Sequence, residues 1–299
     1  APAPSWLAAV EAGLSSPVGT PPLAGHDLRG KKVAVLTDDR SRPTPTAEFL
    51  PRILEQVHAA GALASDVTIV TATGLHDPMT PEEIEKKLGR EVCRRYRCVS
   101  HDSDDTENLT YFGQTSRGIP VWVNSTAAKA DFRIAVGRLY LHMSYGYGGG
   151  YKMILPGVSG FDTVSTHHAL CLLPNSTFGQ DTTLSREQSM AAGKMVGLDF
   201  LVNVVVNSRE EPMQAFCGAP ERAHNQGIEF GDHEVWAAEM GTTPADITIA
   251  SPGSAARRTS GYSEGTLYRA ARITRESGWV ILITPKDTVL DLPGKTGTA

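Results

Sequence analysis

Short apolar runs in this 299-residue chain each stop at a polar, proline- or glycine-bearing loop that leads into a helical pattern, and this alternation constrains the fold most. Val33-Ala-Val-Leu-Thr37 ends at Asp38-Asp39, after which Leu50, Ile53, Leu54 and Val57 recur at i, i+3, i+4 and i+7 up to Gly61. That pattern predicts a buried strand followed by an amphipathic helix, with Pro51 in an early turn or bending it. The unit repeats. Val67-Thr-Ile-Val70 reads as a strand, Thr73 to Pro78 as a loop, and Thr80-Pro-Glu-Glu83 as a capping box with proline at the first helical position. Further strands are expected at 132–136, 200–206, 246–250 and 279–283, and a helix from Pro220 to Phe230. Strands alternating with helices predict an α/β protein with mostly parallel sheets, whose ligands sit beyond the carboxyl ends of the strands. A composition shift near Gly241-Thr-Thr-Pro244 marks a domain boundary between residues 1–240 and 241–299.

The formal net charge of −5, from evenly mixed acidic and basic residues, argues against nucleic acid as a partner. Four cysteines without a CxxC pair give neither a zinc ribbon nor a thioredoxin-type site. The N-terminal segment lacks a basic region followed by a long apolar run, and no stretch approaches the ~18 apolar residues of a membrane helix. A soluble, cytoplasmic chain without a membrane partner is expected, and the sequence does not choose between monomer and homo-oligomer.

The chemistry-bearing residues fall in the loops. Thr37-Asp-Asp-Arg-Ser-Arg-Pro-Thr-Pro45 places two carboxylates, two guanidiniums and three hydroxyls between a strand and a helix start, a setting for an anion or for charges that pair with one another. In the next loop His76 lies between Gly74 and Pro78, where an imidazole can serve as acid, base or ligand. The densest segment runs from His142 to Gly157, with glycines at 146, 148, 149 and 150 and Lys152 just beyond. Such a backbone is expected to turn sharply or to lie against a ligand. A Walker A loop fails because Lys152 is followed by Met153, a GxGxxG fingerprint fails at Tyr151, and a nucleophile elbow fails at Phe161. Of the adjacent His167 and His168, at most one is expected to join a shared site. Separated histidines, a lysine and an Asp/Arg loop fit either acid/base chemistry on an anionic small molecule or imidazole ligation of a metal or cofactor.

Five segments together resemble the lactate racemase family of nickel-pincer-nucleotide enzymes: DDRSRPTP (38–45), ATGLHDPMTPEE (72–83), ENLTYFGQTSRGIPVWVN (107–124), HMSYGYGGGYKMILPG (142–157) and THH (166–168). Residues 198–206 and the stretch from Ala250 to Tyr268 look like later parts of that family. The resemblance implies two Rossmann-like domains with the active site in the cleft between them, residues 1–240 being the catalytic, cofactor-binding domain. It implies a nickel-pincer nucleotide (pyridinium-3,5-bisthiocarboxylic acid mononucleotide nickel) attached covalently at Lys152, with His168 as nickel ligand and Tyr268 against the cofactor. The implied reaction inverts the hydroxyl-bearing C2 of a 2-hydroxy acid by proton-coupled hydride transfer. His76 and His142 match the two acid/base positions, and Asp39 and Arg42 the loop residues that support histidine, cofactor or substrate. The implied partners are the small 2-hydroxy acid and cofactor-synthesis proteins. The glycine-rich turn would then let the flat cofactor approach the backbone.

Some positions depart from the family pattern. Arg269 and Arg272 follow Leu267-Tyr268 where glutamine and lysine are usual, which predicts a more oxygenated substrate such as a dicarboxylate or sugar acid. Ser144 replaces an aromatic residue, and against the family pattern residues 241–299 form an incomplete second domain. The alternative is a metal-dependent hydrolase or lyase using the same histidines with a simple ion, disfavoured because no HExxH or other compact ligand spacing occurs.

Overall fold

The computed structural model describes residues 1–172, 178–236, 243–253 and 261–285. The chain divides into two compact units, Ala1–Ala237 and Ala238–Ala299. Gly241 and Thr242 of the expected boundary, and 254–260 of the later family-like stretch, lie outside the described residues.

The first unit begins with α1 (Trp6–Ser15), β1 (Val33–Asp38), α2 (Thr46–Ala59), β2 (Val67–Ala72), α3 (Pro81–Leu88), α4 (Arg90–Arg95) and β3 (Arg97–Ser100). A hairpin, β4 (Leu109–Gln114) and β5 (Pro120–Asn124), precedes α5 (Ser125–Ala128) and β6 (Phe132–Leu139). The short ribbon β7 (Leu141–His142) and β8 (Gly146–Tyr147) leads to α6 (Phe161–His168) and α7 (Leu184–Val196), and then to β9 (Phe200–Val206), β10 (Pro212–Gly218) and α8 (Pro220–Phe230).

Six strands form one sheet in the order β10-β9-β6-β1-β2-β3. All neighbours are parallel except the edge pair β10–β9. The expected α/β class is therefore correct, and the expected strands at 33–37, 67–70, 132–136 and 200–206 all lie within it. Alternate residues face opposite sides of each strand and build two cores. Val33, Val35, Ile69, Ile134 and Val202 pack with Phe49, Ile53 and Leu14, while Leu36, Val70, Ala135 and Leu201 pack with Ile154, Val164, Ala192 and Ala223. Helices thus cover both faces, which explains why the strands read as continuous apolar runs. α2 continues through Pro51, and Thr80 caps α3 with the expected reciprocal Glu83 bond and Pro81 at its start.

The chain fills the sheet outward from β1 in one direction through β2 and β3, then returns to β6 and fills the other direction. This puts the topological switch between β1 and β6, where their carboxyl-end loops diverge. The loop after β1 is pinned from α3. Lys87 Nζ lies 2.7 Å from Asp38 Oδ1 and donates to the carbonyls of Arg42 and Thr44, each at 3.0 Å. Replacing Lys87 by methionine would strand the buried Asp38 carboxylate, and a loss of about 3–5 kcal/mol is expected in urea unfolding.

In the second unit β11 (Ala245–Ala250), α9 (Gly261–Ile273) and β12 (Thr274–Leu282) form a parallel β-α-β unit, its strands paired Ile247 to Trp279 and Ile249 to Ile281. Both expected strands exist here, although β12 starts five residues earlier than the apolar run at 279–283. No described helix is long and apolar enough to cross a membrane.

Candidate active site

The loops after β1, β2 and β6 meet at the carboxyl edge of the sheet. Arg40 ties the first two together, donating to the Asp77 carbonyl at 3.0 Å and pairing with Glu83 at 3.3 Å. Gly74 N donates to Gly157 O at 2.9 Å, which joins the second loop to the end of the glycine-rich segment.

Asp39 is buried at the root of the first loop. One carboxylate oxygen accepts from Ser41 N at 3.1 Å and Ser41 Oγ at 2.5 Å; the other lies 2.6 Å from His76 Nδ1. Burial works to raise the Asp39 pKa, but the hydrogen bond and charge of His76, the Ser41 bond and the Arg42 charge outweigh it, so the carboxyl stays below its ordinary range. Asp39 therefore accepts Nδ1–H, and the lone pair of His76 is left on Nε2. His76 itself remains part-exposed, so that nitrogen has access to a ligand.

The β6 loop carries the other groups. His142 Nε2 lies 3.3 Å from Lys152 Nζ, and Lys152 Nζ stands 3.5 Å from the centroid of the Tyr145 ring. Tyr145 OH donates to His167 Nδ1 at 2.9 Å, and His167 Nε2 donates to Ser185 O at 2.7 Å. His167 is thus a buried, doubly bonded support for Tyr145. The adjacent His168 is half-buried; burial first, and then the charges of Lys152, His167 and His76, push it down to about 4. These mutual charges bring His76, Lys152 and His168 into one neighbourhood and keep the His168 imidazole neutral at pH 7, the form that ligates a metal.

Arg42 stacks on Tyr140, 5.4 Å from the ring centroid, with Arg138 at 5.1 Å. Asp39, Arg42, His76, His142, Lys152 and His168 all belong to the first unit. Tyr268, half-buried, and Arg269 and Arg272, both exposed, stand on α9 of the second.

The glycine-rich segment turns sharply, as expected, with Gly146, Gly149 and Gly150 at positive φ. Its glycines face protein: a Cβ on Gly149, at φ 77°, would lie 2.4 Å from Asn203 Oδ1, and one on Gly146, at φ 73°, would lie 1.8 Å from Gln180 O. Close packing and left-handed turns require these glycines. Asn203 and His224 were missed as supports of this turn. Asn203 Oδ1 accepts from Gly150 N at 2.8 Å, and His224 Nε2 donates to Gly148 O at 2.9 Å. A lone amide inside the apolar run Phe200–Val206 is the signal that could have found Asn203.

His224 also supplies a pH test. Burial, followed by the Arg186 charge, pushes it down to about 3, and its Nδ1 accepts from Arg186 Nη1 at 3.2 Å. A depressed folded-state pKa gives stability that is fully present above the unfolded value of 6.5 and lost as pH falls toward 3. Urea midpoints are expected to fall across that window, and His224→Gln should flatten the slope by about one proton.

Fold and site together define a doubly wound α/β domain with a histidine- and lysine-lined site at its switch point. The chain belongs to the lactate racemase N-terminal domain family, whose model matches residues 1–179. It is 32% identical over 248 residues to the lactate racemase of Thermoanaerobacterium thermosaccharolyticum, covering 82% of this chain and 57% of that protein. The lactate racemase of Lactiplantibacillus plantarum is 29% identical over 281 residues, 92% of this chain and 64% of that protein. The chain thus spans about three fifths of these relatives' length. The lactate racemase apoprotein structure from T. thermosaccharolyticum matches at a TM-score of 0.83 and 27% identity, covering 94% of this chain and 67% of that one. A crystal structure from Thermotoga maritima, 24% identical with a TM-score of 0.66 over 80% of this chain and 61% of that one, shares the fold.

Proposed function

We propose that this chain carries the catalytic domain of an isomerase, a racemase or epimerase that inverts the hydroxyl-bearing C2 of a 2-hydroxy acid. The observation that carries the reading is the Asp39–His76 pair. A buried carboxylate holds Nδ1–H at 2.6 Å and leaves the Nε2 lone pair accessible at the carboxyl edge of the sheet, in the neighbourhood of Lys152 and His168. Membership of the lactate racemase family supports the same chemistry.

The donor set suits a lysine-tethered nickel-pincer nucleotide. Among the described residues no three His, Cys, Asp or Glu side chains converge on a metal position, so a bare ion would lack the three protein ligands that catalytic sites normally supply. A group that brings its own sulfur and carbon donors needs one neutral imidazole, and His168 is such an imidazole. Lys152 would hold this group through an amide, removing a positive charge from beside three histidines. Bound there, the group supplies a hydride acceptor and donor.

The chain's own residues handle the rest. His76 Nε2 takes the C2 hydroxyl proton, and Asp39 stabilises the imidazolium that forms. Arg42 offers a forked guanidinium to the substrate carboxylate. Arg269 and Arg272 are the residues we propose for recognition of a more oxygenated acid, such as a dicarboxylate or sugar acid. Cofactor-synthesis proteins would load the enzyme in the cytoplasm.

The test is stereochemical. Protein coexpressed with those partners is incubated with single-enantiomer 2-hydroxy acids, and chiral chromatography follows the loss of optical purity. Retention of configuration by every acid in the panel, with cofactor verified on the protein, defeats the reading. Direct hydride return also predicts little solvent deuterium at C2.

A further inference from the structure

The turn between β9 and β10 stands at the same carboxyl edge as the site, because β9 runs parallel to β6 and pairs with it from Phe200 against Ile134 to Val205 against Leu139. Asn207 builds this turn. Its Oδ1 accepts from Arg209 N at 2.9 Å and Glu211 N at 3.1 Å, and its Nδ2 donates to Glu211 Oε2 at 2.7 Å. Between them Glu210 is held at φ 65°, a left-handed conformation that residues other than glycine seldom adopt. The turn sends the Glu210 side chain back to β6, where Arg138 Nη1 donates to Oε2 and Nη2 to Oε1. Of this pair the cation is the buried member: the Arg138 side chain is 9% exposed and that of Glu210 52%. Arg138 Nε–H is buried as well and meets no acceptor. The guanidinium faces the Tyr140 ring at 5.1 Å from its centroid, Arg42 faces the same ring at 5.4 Å, and that ring lies 6.0 Å from the His142 imidazole.

We propose that Arg138 binds the second carboxylate of a 2-hydroxy dicarboxylate, and that Glu210 is the carboxylate it holds until that substrate displaces it. The assignment rests on the racemase reading, which places the first carboxylate on Arg42; it adds a specificity residue within the first unit. A guanidinium this deeply buried requires a counter-charge. Glu210 supplies one from a half-exposed turn, where its own carboxylate is readily rehydrated once released. A substrate carboxylate can take its place on the fork in the same two-bond geometry, so the charge balance of the site is kept. A monocarboxylate brings no second charge to exchange, and neither does a sugar acid whose tail carries only hydroxyls, so both leave Glu210 on Arg138. The spacing suits a short diacid. Because Arg42 and Arg138 face one ring, their guanidinium carbons are separated by no more than the sum of the two centroid distances. A carboxylate carbon lies about 4 Å from the guanidinium carbon it pairs with, so a four-carbon diacid reaches both.

Calorimetric titration of the cofactor-loaded, full-length protein with racemic malate tests the exchange, with racemic lactate and gluconate as the acids that lack a second charge. Glu210→Gln keeps the side-chain shape and removes the competing charge; malate should bind about tenfold more tightly and lactate as before. Arg138→Gln should weaken malate by about tenfold and again leave lactate unchanged. In the double variant the gain from Glu210→Gln should vanish, because it passes through Arg138. Equal malate affinity in the wild type and Arg138→Gln overturns the proposal. So does a Glu210→Gln gain that persists in the double variant, or a gluconate affinity that moves in step with that of malate. Glu210 lies half-exposed on a turn, so absence of any gain for malate in Glu210→Gln overturns the proposal even if Arg138→Gln fails to fold. The racemase reading fails separately, when loaded wild-type enzyme inverts none of the acids it binds, and the affinity differences still decide the role of Arg138.

Discussion

Replacing Asp39 by asparagine is expected to lower kcat/KM for stereoinversion by about 10³-fold while leaving the fold intact. The size of the effect follows from which end of the new amide can face His76. Ser41 N and Ser41 Oγ both bond one oxygen of Asp39, and the peptide N–H among them has no alternative to donating. Asparagine must therefore turn its carbonyl toward Ser41 and its NH2 toward His76. The imidazole then accepts at Nδ1 and carries its proton on Nε2, so the base disappears although every heavy atom stays in place. The buried site also loses the negative charge that would stabilise the imidazolium. Chiral chromatography gives the rate, and nitrogen-15 spectra should show the His76 proton moved from Nδ1 to Nε2. A variant with the moved proton and a wild-type rate would remove His76 from the proton-transfer step. Asp39 is held below the ordinary carboxylate range, so its contribution to stability is present above that range and is lost only as pH falls through the lowered value. The pair is consequently intact at neutral and mildly acidic pH, where the comparison is made.

The parts of this site that were legible in the sequence are those set by local pattern. β1, β2, β6 and β9 are largely buried on both faces and each contains a short, mainly apolar run, so the loops that follow them were identifiable as the chemistry-bearing edge. The less regular elements were not. β3 has a mixed burial pattern of one exposed and three half-buried residues, and β10 pairs antiparallel through a bulge between Pro212 and Gln214, so neither carries a clean period. Pairings distant in sequence were equally hidden. Lys87 lies on an amphipathic helix and looks like a surface charge, yet it folds inward to Asp38 across the β1 loop. The glycine run illustrates a different gap: its conformational demand was visible, but the atoms that impose it come from Asn203 and Gln180, far along the chain.

Lys152→Met is expected to abolish covalent loading and to reduce stereoinversion by about 10³-fold or more, because the reacting group would then have to be recruited from solution. Protein coexpressed with the cofactor-synthesis partners should show added mass on the Lys152 peptide of the wild type and none in the variant. Activity in wild-type protein with an unmodified Lys152 would sink the tether. The substitution has a second readout that needs no cofactor. The Lys152 charge is among the causes that push His167 and His168 down to about 4, though burial is the larger cause in both. Removing the charge should therefore raise both pKa values, yet leave them below the ordinary 6.5 because burial persists. Acylation of Lys152 would have the same electrostatic effect as methionine, so loaded wild type and unloaded variant should share the upward shift in His167, which the metal does not ligate in this scheme. An unloaded variant whose His167 titrates as in unloaded wild type would show that the lysine charge does not reach the imidazoles. The tether would then act through geometry alone.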